Sequence, residues 1–241
     1  TAAQLKAGRF IQQGKGYLLR DDAEYPRRFE NFGRFYHQLT QYPYSLKPDG
    51  QFRSLLFDEL RIQFLELNSA FEIDEYFPER SGIQQSALAN ALLKANRQVE
   101  TAKKEGRIKP DASVFRIAVW HHPITGNEKI ANDAFVEQLR QDDFKLCLHG
   151  HVHEERADLI NYIHPRQIHV AGTGSFGAPM RQRPESSPRL YNVIEVARDH
   201  RRVRVHTRCL RKDGGAWQPW AVWPGSSGLE RRGFYEIEFK G

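Results

Sequence analysis

Cysteine and methionine are nearly absent from this chain of 241 residues, which has two of the first and one of the second. Two thiols cannot build the disulfide framework of a small secreted fold. Cys147 and Cys209 both sit in apolar, strand-like runs. That suits reduced core thiols, and with them a cytoplasmic setting. Long apolar runs are missing too. No stretch of about 18 such residues occurs, so no segment reads as a membrane-spanning helix. No internal repeat is found. The chain opens Thr1-Ala2-Ala3-Gln4, without an initiator methionine or a signal-peptide pattern. The expectation is therefore that the gene begins upstream.

What is present is enough for a globular core. The hydrophobic fraction is 39%, and 15 Phe, 9 Tyr and 4 Trp add bulk. This length allows one large domain, or a domain with an insertion. The net charge is +6 and is unevenly spread. Between Arg181 and Arg232 there are 12 Lys and Arg against 5 Asp and Glu. Such a field suits an anionic partner, a phosphoester or a nucleic acid, or else forms a solvated arginine face. The alternation Arg202-Val203-Arg204-Val205-His206 points to a surface strand with its arginines outward.

Periodicity divides the chain. Residues 1–50 are polar and aromatic and read as a helical cap or lid segment. Phe52–Phe57 and Arg61–Leu67 read as a hairpin around Asp58-Glu59. Leu88, Leu92, Ala95 and Val99 recur at helical spacing and predict a helix over Ser86–Lys104, closed by Gly106 and Pro110. A strand over Val114–Trp120, a helix over Asp133–Gln141 and a strand over Phe144–Leu148 follow. Four further strands are expected at Gln167–Ala171, Leu190–Val196, Arg202–Cys209 and Phe234–Phe239. Strand–helix–strand units followed by an antiparallel run predict an α/β sandwich with mixed sheets. Residues 211–241 form a C-terminal extension ending in a strand.

The two histidine-bearing strand ends carry the chemistry. One is His121-His122-Pro123; the other is Gly150-His151-Val152-His153. Each is expected on a tight loop, with Gly150 allowing the sharp turn. Imidazole is the commonest nitrogen ligand for zinc-, iron- and manganese-like sites. At this spacing the pair resembles the C-terminal half of the calcineurin-like metallophosphoesterases. Leu67-Asn68-Ser69, Gly82-Ile83, Ala171-Gly172-Thr173-Gly174-Ser175 and Tyr191-Asn192-Val193-Ile194-Glu195 resemble neighbouring family segments. The resemblance spans roughly residues 52–210, and residues 51–210 are taken as that half-domain.

The resemblance implies an αββα sandwich of mixed sheets lacking its N-terminal part. It also implies two divalent metals (Mn, Fe or Zn) about 3.5 Å apart, which neutralise a phosphoester while a water between them loses its proton. His121 and His151 would bind one metal and His153 the other, while His122 and Gly150 would face substrate. The family's DxH, GD and GNH[DE] motifs, which supply a bridging aspartate, an asparagine ligand and an acid histidine, are absent. Gly126-Asn127-Glu128, Asp49-Gly50 and Asp199-His200 do not replace them. Two functions follow. One is hydrolysis of a phosphomono- or diester (a nucleotide or nucleic acid among the candidates), with the missing half supplied elsewhere and this chain inactive alone. The other is a non-catalytic module that binds metal or nucleic acid.

Other candidates read more blandly. Gly172-x-Gly174-x-x-Gly177 spells a dinucleotide fingerprint, but Pro179, Pro184 and Pro188 forbid the helix it needs. His164 and His169 suit ordinary polar packing. Arg34, Tyr36 and His37 suit either an aromatic patch or a substrate-selecting lid. Trp217, Trp220 and Trp223 suit a packed irregular segment, a partner surface or a base-stacking platform.

Overall fold

A computed structural model describes residue 8 and residues 10–126, 129–153, 156–163, 166–177, 187–212, 214–225 and 227–239, with the side chains of 152–167 left aside. Strands β1 (Phe10–Gln13) and β2 (Gly16–Leu19) form an N-terminal hairpin, and helix α1 spans Glu30–Thr40. Next come β3 (Phe52–Phe57), β4 (Ile62–Leu67), α2 (Gln85–Lys104), β5 (Phe115–Val119), α3 (Ala134–Gln141) and β6 (Phe144–His153). After them lie β7 (Arg156–Ile163), β8 (Arg166–Gly174), β9 (Arg189–Val196) and β10 (Arg202–Leu210). The short β11 (Gln218–Pro219), β12 (Trp223–Pro224) and β13 (Arg231–Arg232) precede β14 (Phe234–Glu238).

The main sheet has six strands in the order β3-β4-β5-β6-β8-β7. β4, β5, β6 and β8 are parallel, and the two edges β3 and β7 are antiparallel to their neighbours. Helices α2 and α3 are the β4–β5 and β5–β6 crossovers. Right-handed connections advancing in one direction place both on one face. That face is sealed by Leu65, Ala118, Cys147 and Val170 against Leu88, Ala91, Phe135 and Leu139. Leu65, Leu88 and Leu139 are fully buried, each contributing about 1.5–3 kcal/mol from apolar area removed from water.

Period-two alternation turns the other set of side chains to the opposite face. Phe115, Ile117, Leu146 and Ala171 there meet Val203, Val205 and Ile237 of a second sheet. In that sheet β10 is central, flanked by β9 on one side and by β14 and β11 on the other. The described layers are thus helices, mixed sheet and second sheet. Among the described residues no helix covers the outer face of the second sheet.

Helix α2 starts one residue before its expected position and stops where expected. The Gln84 side chain accepts from the Ala87 N–H at its start, and Gly106 at φ +74° closes its end as a left-handed C-terminal cap requires. Gln63, fully buried on β4, donates to the Ala95 carbonyl at 2.9 Å and so ties sheet to helix. Residues 217–223 pack onto the second sheet. Trp217 stacks on Phe176 at 5.2 Å, and the Trp223 indole donates to Thr207 at 3.0 Å. Gly172 and Gly174 lie within β8. Asn127, Glu128, His164 and residues 178–186 fall outside the described residues.

Candidate metal centre

Parallel strands deliver their carboxyl ends to one edge of a sheet, and ligand sites in α/β folds gather there. Here β4 leads into Asn68-Ser69, β5 into Trp120-His121-His122, and β6 carries Gly150-His151 beyond its last pair with β5, Val119 opposite Leu148. Two further hydrogen bonds extend the contact: Trp120 N–H to the Leu148 carbonyl at 3.1 Å, and Gly150 N–H to the His121 carbonyl at 3.0 Å. The two histidine segments are therefore laced together by main chain.

The Gly150-His151 segment is part of a strand rather than the expected tight loop. β6 runs to His153, with a register shift against β8 between His149 and His153. The left-handed conformation falls on His151 at φ +70°, and Gly150 is not in it. A Cβ on Gly150 would meet His121 only at ordinary contact distance, 3.5 Å. The turn that aims the imidazole is thus made by the histidine itself, at a cost of roughly 1–2 kcal/mol for a residue with a Cβ.

That bulge brings three imidazoles together. His121, His122 and His151 offer ring nitrogens that all lie within 4.8 Å of one another. The His121 Nε2 and His151 Nδ1 atoms are 3.2 Å apart. Two imidazole nitrogens on one tetrahedral zinc, each at about 2.0–2.1 Å, would be separated by roughly 3.4 Å. The His121–His151 pair therefore has the spacing of two ligands of a single borderline-soft cation. Among the described residues no carboxylate joins the group.

His122 is held from behind. Its Nδ1 is 2.8 Å from the Ser69 hydroxyl, whose oxygen also accepts the backbone N–H groups of His121 and His122 at 3.2 Å each. With both lone pairs of Ser69 engaged, its proton is directed to His122 Nδ1, which places the ring proton on Nε2. Binding a metal through Nε2 would require the proton to pass to Nδ1, with Ser69 then accepting. The Trp120 indole donates to the His122 carbonyl at 2.7 Å and fixes the backbone. Burial, then the charges of His121 and His151, push the His122 imidazole down to about 4. It is neutral at pH 7, the form a metal requires.

The expected residues thus separate. The ring nitrogens of His121 and His151 lie 3.2 Å apart. His122 stands in the same cluster, and the Gly150 N–H is spent on the His121 carbonyl. His153 pairs through its backbone with Gly174, and its side chain is outside those described. Ser69 went unrecognised as a positioning residue. Nothing in Leu67-Asn68-Ser69 except its place at a strand end could have marked it.

The basic stretch is partly neutralised. Arg204 pairs with Glu236 at 2.8 Å and Glu195 at 3.7 Å, Arg202 reaches Glu236 at 3.9 Å, and Arg232 pairs with Glu230 at 2.9 Å. Carboxylates on the neighbouring strands β9 and β14 interleave with Arg202 and Arg204.

No family model matches this chain, and no curated protein matches it. Among solved structures it is similar to vacuolar protein sorting 29 from Cryptosporidium parvum, with 14% identity and a TM-score of 0.30, over 73% of this chain and 97% of that one. The mixed α/β architecture rests on the strand order itself.

Proposed function

We propose that His121, His151 and His122 hold one divalent transition metal, and that this chain supplies the histidine side of a centre that hydrolyses a phosphoester. One observation carries the reading: ring nitrogens of His121 and His151 sit 3.2 Å apart at the carboxyl edge of a parallel sheet. Metal bound there would polarise a phosphoryl oxygen and acidify water. The chain's own contributions are orientation through Ser69 and the Gly150–His121 bond, and a His122 imidazole kept neutral by burial. The carboxylates that two-metal chemistry needs would come from beyond these residues, with His153 serving the second ion.

An imidazole-only donor set favours a second reading, in which the site binds one metal without catalysis. Cobalt(II) titration of this chain tests the shared part. The expected result is about one equivalent with tetrahedral visible bands, lost in His151→Ala. Turnover of an aryl phosphodiester by the native gene product with manganese then separates the readings. Hydrolysis abolished in His121→Ala and His151→Ala supports the first; metal binding without turnover supports the second. Turnover unchanged in either variant overturns the role of the cluster.

A further inference from the structure

Strand β3 ends the six-stranded sheet and pairs on one side only, with β4. The phase of that pairing fixes what its open side offers. The Asn68 N–H donates to the Gln51 carbonyl at 3.3 Å, which continues the register in which Phe52 faces Leu67. In an antiparallel ladder every second residue exchanges both backbone bonds with the partner strand. Arg53, Leu55 and Phe57 therefore bond to β4, and the N–H and C=O groups of Phe52, Ser54 and Leu56 point outward. The Gln98 side-chain amide donates to the Ser54 carbonyl at 3.3 Å, in keeping with that phase. Among the described residues no other strand pairs with this edge.

Helix α2 runs beside the open edge. Its Leu93, Lys94, Arg97 and Thr101 recur at helical spacing and, with Leu56 of β3, line a groove of about 570 Å³. Leu93 is 50% exposed there. Lys94 and Arg97 are exposed and form no ion pair among the described residues; Lys94 reaches only the Phe52 ring, its Nζ 5.8 Å from the centroid. Arg107, at the end of the groove, is already paired with Asp58 and Glu105. The groove thus joins an open hydrogen-bonding edge to an exposed leucine and two uncommitted cations.

We infer that this groove docks an extended acidic peptide of another protein, which adds a strand to β3 and sets its carboxylates against Lys94 and Arg97. Donors and acceptors alternate along an open strand edge, and another extended backbone matches both. A lone phosphate or carboxylate would serve the N–H groups and leave the carbonyls unpaired. Side chains set the sign of the partner. Alternate residues of an added strand turn toward α2, where the two cations call for carboxylates. A second copy pairing antiparallel through its own β3 would instead set Lys94 and Arg97 against their equivalents, a juxtaposition of like charges that opposes association. Because β3 runs antiparallel to β4, Leu56 and Asp58 lie at the amino end of the parallel strands. The histidines stand at the opposite end, so the groove is independent of the metal reading.

The test is a fluorescence-polarisation titration of this chain with a labelled, acetylated peptide that alternates valine and glutamate. Two further peptides replace every glutamate by lysine, or the central valines by proline, which removes the N–H groups a ladder needs. The glutamate peptide is expected to bind saturably below millimolar concentration. The lysine and proline peptides should each bind about tenfold or more weakly, the equivalent of about 1.4 kcal/mol. Lys94→Glu combined with Arg97→Glu, both exposed on α2, should invert the preference between glutamate and lysine while leaving the circular dichroism spectrum unchanged. Absence of saturable binding at millimolar concentration overturns the inference. So does equal affinity for the glutamate and lysine peptides, binding retained by the proline peptide, or a preference unchanged in the double variant. Dimerisation of the chain in sedimentation velocity, without uptake of any peptide, would assign the edge to a second copy and overturn it as well.

Discussion

Ser69 shows how much of a site one small residue can hold. Its hydroxyl is shared by two backbone N–H groups and by an imidazole 53 positions further along the chain. Ser69→Ala would leave those N–H groups buried without an acceptor, at a cost of about 1–3 kcal/mol. It would also release the His122 ring, and loss of a second-shell partner typically weakens metal affinity about 10–100-fold. Urea midpoints and cobalt titration of the same variant should show both effects. An unchanged cobalt affinity would mean that the serine serves only the backbone. None of this was visible in the sequence, because the contacts span loops brought together by strand order. His121 and His151 were legible, since histidines at the ends of two apolar runs are a chemical pattern that needs no packing to be noticed.

The elements were largely readable where burial imposes a period. Helix α2 buries Leu88, Ala91, Leu92, Ala95 and Val99 on one face, and β4 alternates Gln63, Leu65 and Leu67 inward. The missed elements are those a period does not mark. Strand β7 lies at the sheet edge, paired on one side only, and the sequence Arg-Ala-Asp-Leu-Ile-Asn-Tyr-Ile carries no clean alternation. At the end of β6 a glycine beside two histidines suggests a turn, whereas pairing with β8 continues the strand through a bulge. Since His151 holds the positive φ, removing its side chain two ways gives a prediction. Both His151→Gly and His151→Ala should lose cobalt binding. The glycine variant should be more stable than the alanine variant by about 1 kcal/mol, because glycine takes the left-handed conformation without a Cβ clash. Equal thermal midpoints would show that the conformation stores no strain.

At the scale of the molecule, the two sheets meet over a layer that includes two histidines held neutral. His169 packs against Phe239 at 5.3 Å, and His200 packs against Phe115 at 5.7 Å while donating to the Leu60 carbonyl at 3.0 Å. Burial lowers both imidazoles below 6.5; for His200 the nearby Arg61 adds to this, and the Leu60 bond and Asp199 oppose it. The unfolded chain therefore takes up these protons first as the pH falls. Their contribution to stability is complete above about pH 6.5 and is lost progressively on acidification below it. Urea midpoints measured from pH 7.5 down to 5 should fall, and a His169→Gln, His200→Gln double variant should show a shallower slope. A parallel slope in that variant would assign the acid sensitivity to other groups.

The sequence by itself determined the α/β class, the strand and helix periods, the apolar runs of the core and the chemical identity of the histidine segments. Each of these follows from residue type and spacing along one chain. Only the tertiary structure decided that His122 joins His121 and His151, that Ser69 stands behind them, and that carboxylates interleave with Arg202 and Arg204. Those relations depend on which strands become neighbours and in what register. Register is set by burial summed over the whole sheet, which no local window contains.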